Sequence, residues 1–259
     1  MRTFTFKGLF LTVLFMLLGS TAILAADDGL FTRQITLKLD EAGTLPSKIS
    51  ASEKYLITNL KIVGKINGTD LKFIREMAGR DYNREKTDGK LSILDLSEAK
   101  IVAGGDAYIS YNSLCENTSN DKLGDFAFEG CSGLTSLTIP SSVTSIGGAA
   151  FRGCSGLTSI YVYTKKLPEL GPDVFNGCNA QNCTVYVPTG TVDAYKSSEF
   201  GYFEKIVEFD ATGIDKVTTS NDAKELSRYS VNGQRLAAPT KGLNIVKYSD
   251  GSVKKVFVQ

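Results

Sequence analysis

A repeated block in the middle of the chain is the strongest constraint on its fold. Residues 146–162 follow the pattern of residues 123–139 without a gap, with Phe, Gly-Cys and a Leu-Thr-Ser motif at matching positions. The period is 23 residues, the difference between Cys131 and Cys154, and a third copy with Cys178 follows after 24. A unit this short cannot bury its apolar face alone, so successive copies must stack on one another.

The leucine spacing within each copy predicts the fold class. Repeats of this length with a Leu-x-x-Leu-x-Leu core indicate an α/β-type leucine-rich repeat solenoid, with parallel strands on one face and short helices or turns on the other. Two upstream segments, 57–62 and 91–96, match the strand template of 134–139. We expect them to be earlier coils with longer returns.

The segments between these upstream strands give weaker predictions. Helical spacing over 71–78 predicts a helix, with Thr69 or Asp70 as its cap and Gly79 closing it. The segment 100–121 has no periodicity, and we expect an irregular loop there.

Stacked copies place residues from one repeat position in a column. The columns expected inside the core are Cys131, Cys154 and Cys178; Phe128, Phe151 and Phe175; and, at corners of unusual backbone geometry, Gly130, Gly153 and Gly177. A line of cysteines roughly 4.8 Å apart favours buried packing over a metal site or a disulfide within the column. In an exported chain the most plausible bridge is Cys178–Cys183, and five cysteines leave at least one unpaired.

A second column should project from the exposed face of the sheet. Alternation along the strands places one outward residue between the last two inward ones. The predicted partner-binding residues are the members of this column, Lys61, Asp95, Thr138, Tyr161 and Tyr186, together with Tyr163, which lies beside Pro140 and Pro188. Tyrosine offers a large apolar area and a hydroxyl at low entropic cost, which favours recognition by the three tyrosines. The alternatives are that β-propensity alone explains these tyrosines, or that the tail or a neighbouring loop covers them.

The composition excludes several kinds of chemistry. The chain has no histidine, which rules out a Ser-His-Asp triad, a Cys-His nucleophile and a His-bearing zinc site. With 29 Lys+Arg against 28 Asp+Glu, the net charge of +1 gives no reason to expect a nucleic-acid partner. We expect no cofactor, no metal and no catalytic residue. Asp125 and Glu129 are four residues apart and could form a carboxylate pair for glycoside chemistry, but a solvated face is the simpler interpretation.

The two ends of the chain differ from the repeats. Arg2 and Lys7 precede an apolar run over 9–18 and small residues up to Ala26, a pattern typical of a signal peptide; a membrane anchor is the alternative.

Short β-like runs after residue 225 are punctuated by Asn-Gly and Asp-Gly, which predicts a small antiparallel sandwich or sheet. The expected organisation is a signal peptide (1–26), divergent repeats with a cap (27–122), regular repeats with a C-terminal cap (123–210), a linker (211–222) and a small all-β module (223–259).

These motifs carry family resemblances. The triplicated block, with its ending at Thr184-Val185-Tyr186-Val187-Pro188, resembles the BspA-like leucine-rich repeat proteins of anaerobic Gram-negative bacteria from residue 123 to about 210, and more weakly from Ile57. The resemblance implies an exported or surface-displayed binding protein, and some relatives act as adhesins toward host matrix proteins or other bacteria. Residues 229–236, 241–247 and 254–258 are similar to the C-terminal sorting domains of type IX secretion cargo, which implies an address read at the outer membrane.

The leading hypothesis is therefore a non-enzymatic, secreted or cell-surface protein that binds a protein or glycan, at the cell surface or in a host, through its sheet face. We expect a monomer with no membrane span after signal cleavage. The alternative is a structural or cargo component of the cell envelope with no soluble ligand.

Overall fold

The computed structural model describes residues 29–111, 113–211, 225–230, 234–248 and 253–258. The chain divides into two compact units, one ending at Ala211 and one beginning at Thr212, and each is described by itself. The predicted signal peptide and the predicted linker beyond Ala211 lie outside the described residues.

Short strands dominate the first unit. Its strands are β1 (Ile35–Leu39), β2 (Asn59–Ile66), β3 (Ile93–Ile101), β4 (Ile109–Tyr111), β5 (Leu114–Glu116), β6 (Lys122–Leu123), β7 (Ser136–Ile139), β8 (Ser145–Ile146), β9 (Ser159–Val162), β10 (Glu169–Leu170), β11 (Thr184–Pro188) and β12 (Lys205–Phe209). Its helices are α1 (Leu45–Lys48), α2 (Gly68–Met77), α3 (Val192–Lys196) and a 3₁₀ helix (Glu199–Tyr202).

Seven of these strands form one parallel sheet, in the order β1-β2-β3-β7-β9-β11-β12. The two-residue strands β6, β8 and β10 form a second parallel sheet. They lie in the segments that return the chain from one strand of the larger sheet to the next. The predicted upstream strands are present as β2 and β3, each beginning two residues later than the template. A parallel sheet with few and short helices is compatible with an α/β repeat fold.

Backbone hydrogen bonds join successive coils at fixed positions. Amides of one coil donate to carbonyls of the next, from Phe126 to Gly148 (3.0 Å), from Phe128 to Ala150 (2.7 Å) and from Gly130 to Arg152 (2.8 Å). The equivalent amides of the following coil donate to Pro172, Val174 and Asn176. This spacing holds each repeat position directly beside its equivalent in the next coil.

The predicted core columns are confirmed. The Phe128 and Phe151 rings stack with centroids 6.0 Å apart, and Phe151 and Phe175 stack at 5.6 Å. The three column cysteines are buried, and the thiols of Cys154 and Cys178 donate to the carbonyls of Phe128 and Phe151. The φ angles of the corner glycines are positive (+71°, +71° and +78° along the chain), a backbone geometry that strains any residue with a Cβ.

The predicted disulfide between Cys178 and Cys183 is wrong, because all five cysteines are free. The Cys178 thiol lies 3.2 Å from the carbonyl oxygen of Phe151 in the preceding coil, so it is directed along the cysteine column. Cys183 is fully buried just before β11. Cys115 is exposed.

The helix cap also differs from the prediction. Asn67, and neither Thr69 nor Asp70, caps α2, since its side chain accepts a hydrogen bond from the Thr69 amide (3.1 Å). The Asp70 carboxylate reaches back to the Asn67 amide (2.9 Å), which completes a capping box. Asp70 is fully buried and also accepts the Leu45 amide (2.9 Å), so it ties α2 to α1. Gly79 follows the helix with φ of +95°, as predicted.

The expectation of an irregular loop over 100–121 is wrong in part. Strand β3 extends to Ile101, and β4 and β5 form an antiparallel hairpin. The hairpin is held in place because Tyr108, just before β4, is fully buried and its amide donates to the Glu116 carbonyl (2.9 Å).

Two buried side chains donate to the first regular coil the hydrogen bonds that the amides of a preceding regular coil would otherwise donate. The carbonyls of Asp125 and Ala127 are equivalent to those that accept amides in the next coil, but no regular coil precedes them. The Tyr108 hydroxyl donates to the Asp125 carbonyl (2.8 Å), and Arg75 Nη1 donates to the Ala127 carbonyl (2.9 Å). Both side chains are fully buried. They therefore supply the hydrogen bonds that the end of the stack would otherwise lack.

The described strands of the second unit are β13 (Glu225–Ser230), β14 (Arg235–Leu236), β15 (Gly242–Tyr248) and β16 (Val253–Val258). They form an antiparallel sheet in the order β14-β13-β15-β16. The guanidinium of Arg228 is buried and donates to the Glu225 carboxylate and the Asn244 side chain.

The free thiols predict a simple pattern of reactivity. Burial raises the pKa of Cys131 to about 11 and of Cys178 and Cys183 to about 12, and it raises the pKa of Cys154 as well. At mildly alkaline pH these thiols are protonated and shielded, so a thiol reagent should titrate only Cys115 in the folded protein and all five cysteines in denaturant. Cys115→Ser should leave no rapidly reacting thiol in the folded protein. In the unaltered chain, a count of only three titratable thiols in denaturant would contradict the free Cys178 and Cys183.

Candidate functional site

The outward column predicted from alternation is a continuous row on the parallel sheet. Each member is paired in register with the next across β2, β3, β7, β9 and β11. From one edge of the sheet to the other the row is Thr36, Lys61, Asp95, Thr138, Tyr161, Tyr186 and Val207.

Hydroxyl side chains at the starts of the strands hold this register. The Ser92 hydroxyl donates to the Thr58 carbonyl (3.1 Å), and the Thr135 hydroxyl donates to the Ser92 carbonyl (3.0 Å). Thr158 repeats the contact with the Thr135 carbonyl (3.0 Å). Each coil is therefore anchored to the one before it just ahead of its outward residues.

The charged end of the row is satisfied within the chain. The Lys61 ammonium lies 3.4 Å from the Asp95 carboxylate and 2.7 Å from the Glu98 carboxylate. The hydrogen bond with Glu98 is the main reason that the pKa of Lys61 is raised. Thr138 separates this pair from the tyrosines, so the structure places Lys61 and Asp95 in the same row as the tyrosines but not in contact with them.

The aromatic end of the row is a packed cluster. The Tyr161 and Tyr186 rings stack with centroids 4.3 Å apart and planes 6° from parallel. Phe209 meets Tyr163 edge-on at 5.0 Å and Tyr161 at 5.9 Å. We call Tyr161, Tyr163, Tyr186 and Phe209 the aromatic cluster.

Phe209 is the one member that the sequence analysis missed. It lies on β12, where it pairs in register with Pro188 of β11. Val207 and Phe209 continue the outward alternation of Tyr186 and Pro188. This alternation was the sequence signal that could have placed Phe209 on the outward face. The strand 205–209 lacks the leucine template, so a search for further copies stops at Pro188.

All four rings of the aromatic cluster are half-buried. Burial is the main cause of the raised pKa of the Tyr161 hydroxyl, followed by the nearby Tyr186 and Tyr163 hydroxyls. The Tyr161 and Tyr186 rings cover each other's facing sides, so those two ring faces are closed to solvent.

Asp125 and Glu129, the possible catalytic pair, have other partners. Glu129 is held by the guanidinium groups of Arg84 and Arg152, which lower the pKa of its carboxyl against the opposing effect of burial. Asp125 accepts the Gly148 amide (2.7 Å) and lines a groove of about 450 Å³ that Glu129 does not line. A general acid needs a raised pKa, whereas the pKa of Glu129 is lowered, and the two carboxylates do not line the same groove.

Among the residues that the structure describes, no helix combines the length and apolar composition needed to cross a membrane. The same residues contain no group of three or more cysteines and carboxylates placed to hold a metal ion.

Part of the chain matches a known repeat family. Residues 121–222 match the family described as the BspA type leucine rich repeat region, in six copies. The match includes the regular coils and the strands β7, β9, β11 and β12, which carry Thr138 and the aromatic cluster. No curated protein matches the chain.

The stacked tyrosines should be energetically coupled. In a double-mutant cycle of Tyr161→Ala and Tyr186→Ala, we expect an interaction energy of about 0.5–1.5 kcal/mol in the free energy of unfolding, because each ring loses its partner's face. Urea denaturation measures it. A cycle of Tyr161→Ala with Tyr111→Ala serves as control and should be additive, whereas additivity for Tyr161 and Tyr186 would contradict the stacked geometry.

Proposed function

We propose that the chain is an exported, non-enzymatic repeat protein that binds a protein partner through the outward face of its parallel sheet, as an adhesin does. The observation that carries this proposal is the aromatic cluster, whose four rings pack together on adjacent strands. Leucine-rich repeat regions form extended surfaces suited to protein interaction, and the matching family supports such a role here.

The cluster has the properties of an interface centre. Tyrosine is enriched among the residues that dominate binding energy, since it combines a large apolar area with a hydroxyl. The rings stand on strands whose register is fixed by hydrogen bonds, so little conformational entropy is lost when a partner packs against them.

The geometry favours a protein over a glycan as the partner. A sugar ring stacks on a free aromatic face, but Tyr161 and Tyr186 cover each other's facing sides. The outward residues beside them on β7, β9 and β11 are Ser136, Thr138, Ser159 and Thr184, without the carboxylates and amides that bind sugar hydroxyls in pairs.

Export is supported by the amino-terminal pattern of Arg2, Lys7 and the apolar run that follows. The resemblance of the C-terminal unit to sorting domains supports delivery to the cell surface or beyond it. Burial of four of the five cysteines is compatible with an oxidising compartment, because shielded thiols react slowly.

Binding to immobilised extracellular matrix proteins and to a glycan array tests this function. The probe is the chain 27–259, beside the double variant Tyr161→Ser, Tyr186→Ser. We expect a saturable protein ligand whose affinity falls at least about tenfold in the double variant, as for residues at the centre of an interface. Circular dichroism should show that both proteins fold alike.

The matched control is Tyr111→Ser, which removes an exposed tyrosine from the β4–β5 hairpin and should leave binding unchanged. Glycan binding lost in the double variant would transfer the site to a carbohydrate ligand. Absence of binding on both panels would contradict the proposal and favour a structural or cargo role in the cell envelope.

A further inference from the structure

Two lysines closely follow Tyr163 of the aromatic cluster in the chain. Lys165 and Lys166 follow Tyr163 at the end of β9, and both are exposed. Thr164 between them and Tyr163 is buried, and its carbonyl accepts the hydroxyl of the fully buried Tyr195 (2.9 Å). The Thr164 hydroxyl donates to the Lys166 carbonyl (2.7 Å). The backbone that presents the two ammonium groups is therefore held on the core.

The outward residues of the four strands nearest the cluster include no carboxylate. In chain order they are Ser136, Thr138, Ser159, Tyr161, Thr184, Tyr186, Pro188, Lys205, Val207 and Phe209. Three exposed carboxylates lie on or beside β12. Glu204 and Glu208 occupy the alternate positions of this segment, where Glu208 accepts the Gly190 amide (2.9 Å), and Asp210 follows the end of the strand.

The cations near the cluster differ from those at the other end of the sheet. Lys61 is paired with Asp95 and Glu98. In contrast, the ammonium groups of Lys165, Lys166 and Lys205 form no ion pair with the part of the chain that the structure describes. The aromatic end of the face thus carries positive charge that a partner can complement.

We infer that the segment which binds the aromatic cluster is acidic, with an apolar side chain that packs on the rings and Asp or Glu residues that meet Lys165, Lys166 and Lys205. This inference rests on the proposed function and specifies its partner. Exposed charges of this kind act mainly by steering association and by choosing between partners, and salt screens them. The apolar contact supplies most of the affinity, and the lysines supply the preference for acidic sequences.

Selection from a displayed library of random peptides tests the inference. The chain 27–259 is the bait, and peptides that also bind Tyr161→Ser, Tyr186→Ser are removed. We expect the remaining peptides to combine an aromatic or aliphatic residue with an excess of Asp and Glu. Their affinity should fall about fivefold for Lys165→Glu, Lys166→Glu, as expected for two exposed ion pairs, and it should fall with added salt.

The control is Lys86→Glu, Lys90→Glu, which changes the net charge equally but alters exposed lysines between α2 and β3. It should leave the affinities of the selected peptides unchanged. A selection repeated on Lys165→Glu, Lys166→Glu should enrich Lys and Arg in place of Asp and Glu.

The other outcomes separate the two proposals. Tyrosine-dependent peptides without a charge preference, unaffected by the lysine changes, would overturn the acidic partner and leave the binding face intact. No tyrosine-dependent peptide would overturn both. Heparin binding that needs the lysines but survives in the tyrosine variant would show a polyanion site separate from the cluster, which also overturns the inference.

Discussion

Backbone hydrogen bonds between successive coils are the constraint on which the rest of the first unit depends. Because the donors and acceptors recur at fixed repeat positions, every side chain lies beside its equivalent in the next coil. The same rule produces the stacked phenylalanines inside and the row from Lys61 to Tyr186 outside. A core column and a binding face are thus two consequences of one register.

Several residues outside the repeat pattern are explained by their position, because they close the two ends of the stack. At one end Arg75 and Tyr108 satisfy carbonyls of the first regular coil, since a buried unpartnered carbonyl would cost about 1–3 kcal/mol. At the other end Phe200 and Phe203 pack on Phe175, which closes the column of rings. The aromatic cluster forms at this second end, where β12 brings Phe209 beside the tyrosines.

The repeat made the columns predictable from sequence, because a fixed period converts sequence position directly into spatial position. The end structures were not predictable in this way. Arg75 is a charged side chain that is fully buried, against the usual tendency of arginine, and Tyr108 lies in a segment without periodicity. Phe209 follows the alternation but lacks the template, and the Asn-x-x-Asp pattern that marks the cap begins at Asn67, before the helical spacing over 71–78. The disulfide prediction rested on sequence proximity and export, whereas the direction of the Cys178 thiol is set by the Phe151 carbonyl of the preceding coil.

We conclude that the divergent and the regular coils form one continuous stack, joined by the buried side chains of Arg75 and Tyr108. Native-state hydrogen exchange on the intact chain and on Tyr108→Phe tests it most directly. We expect the slowest amides of β2 and β3 to open together with those of β7, β9 and β11. The substitution should lower both opening free energies alike, by about 1–3 kcal/mol. Separate opening free energies for the two groups, or a loss confined to one of them, would contradict a continuous stack.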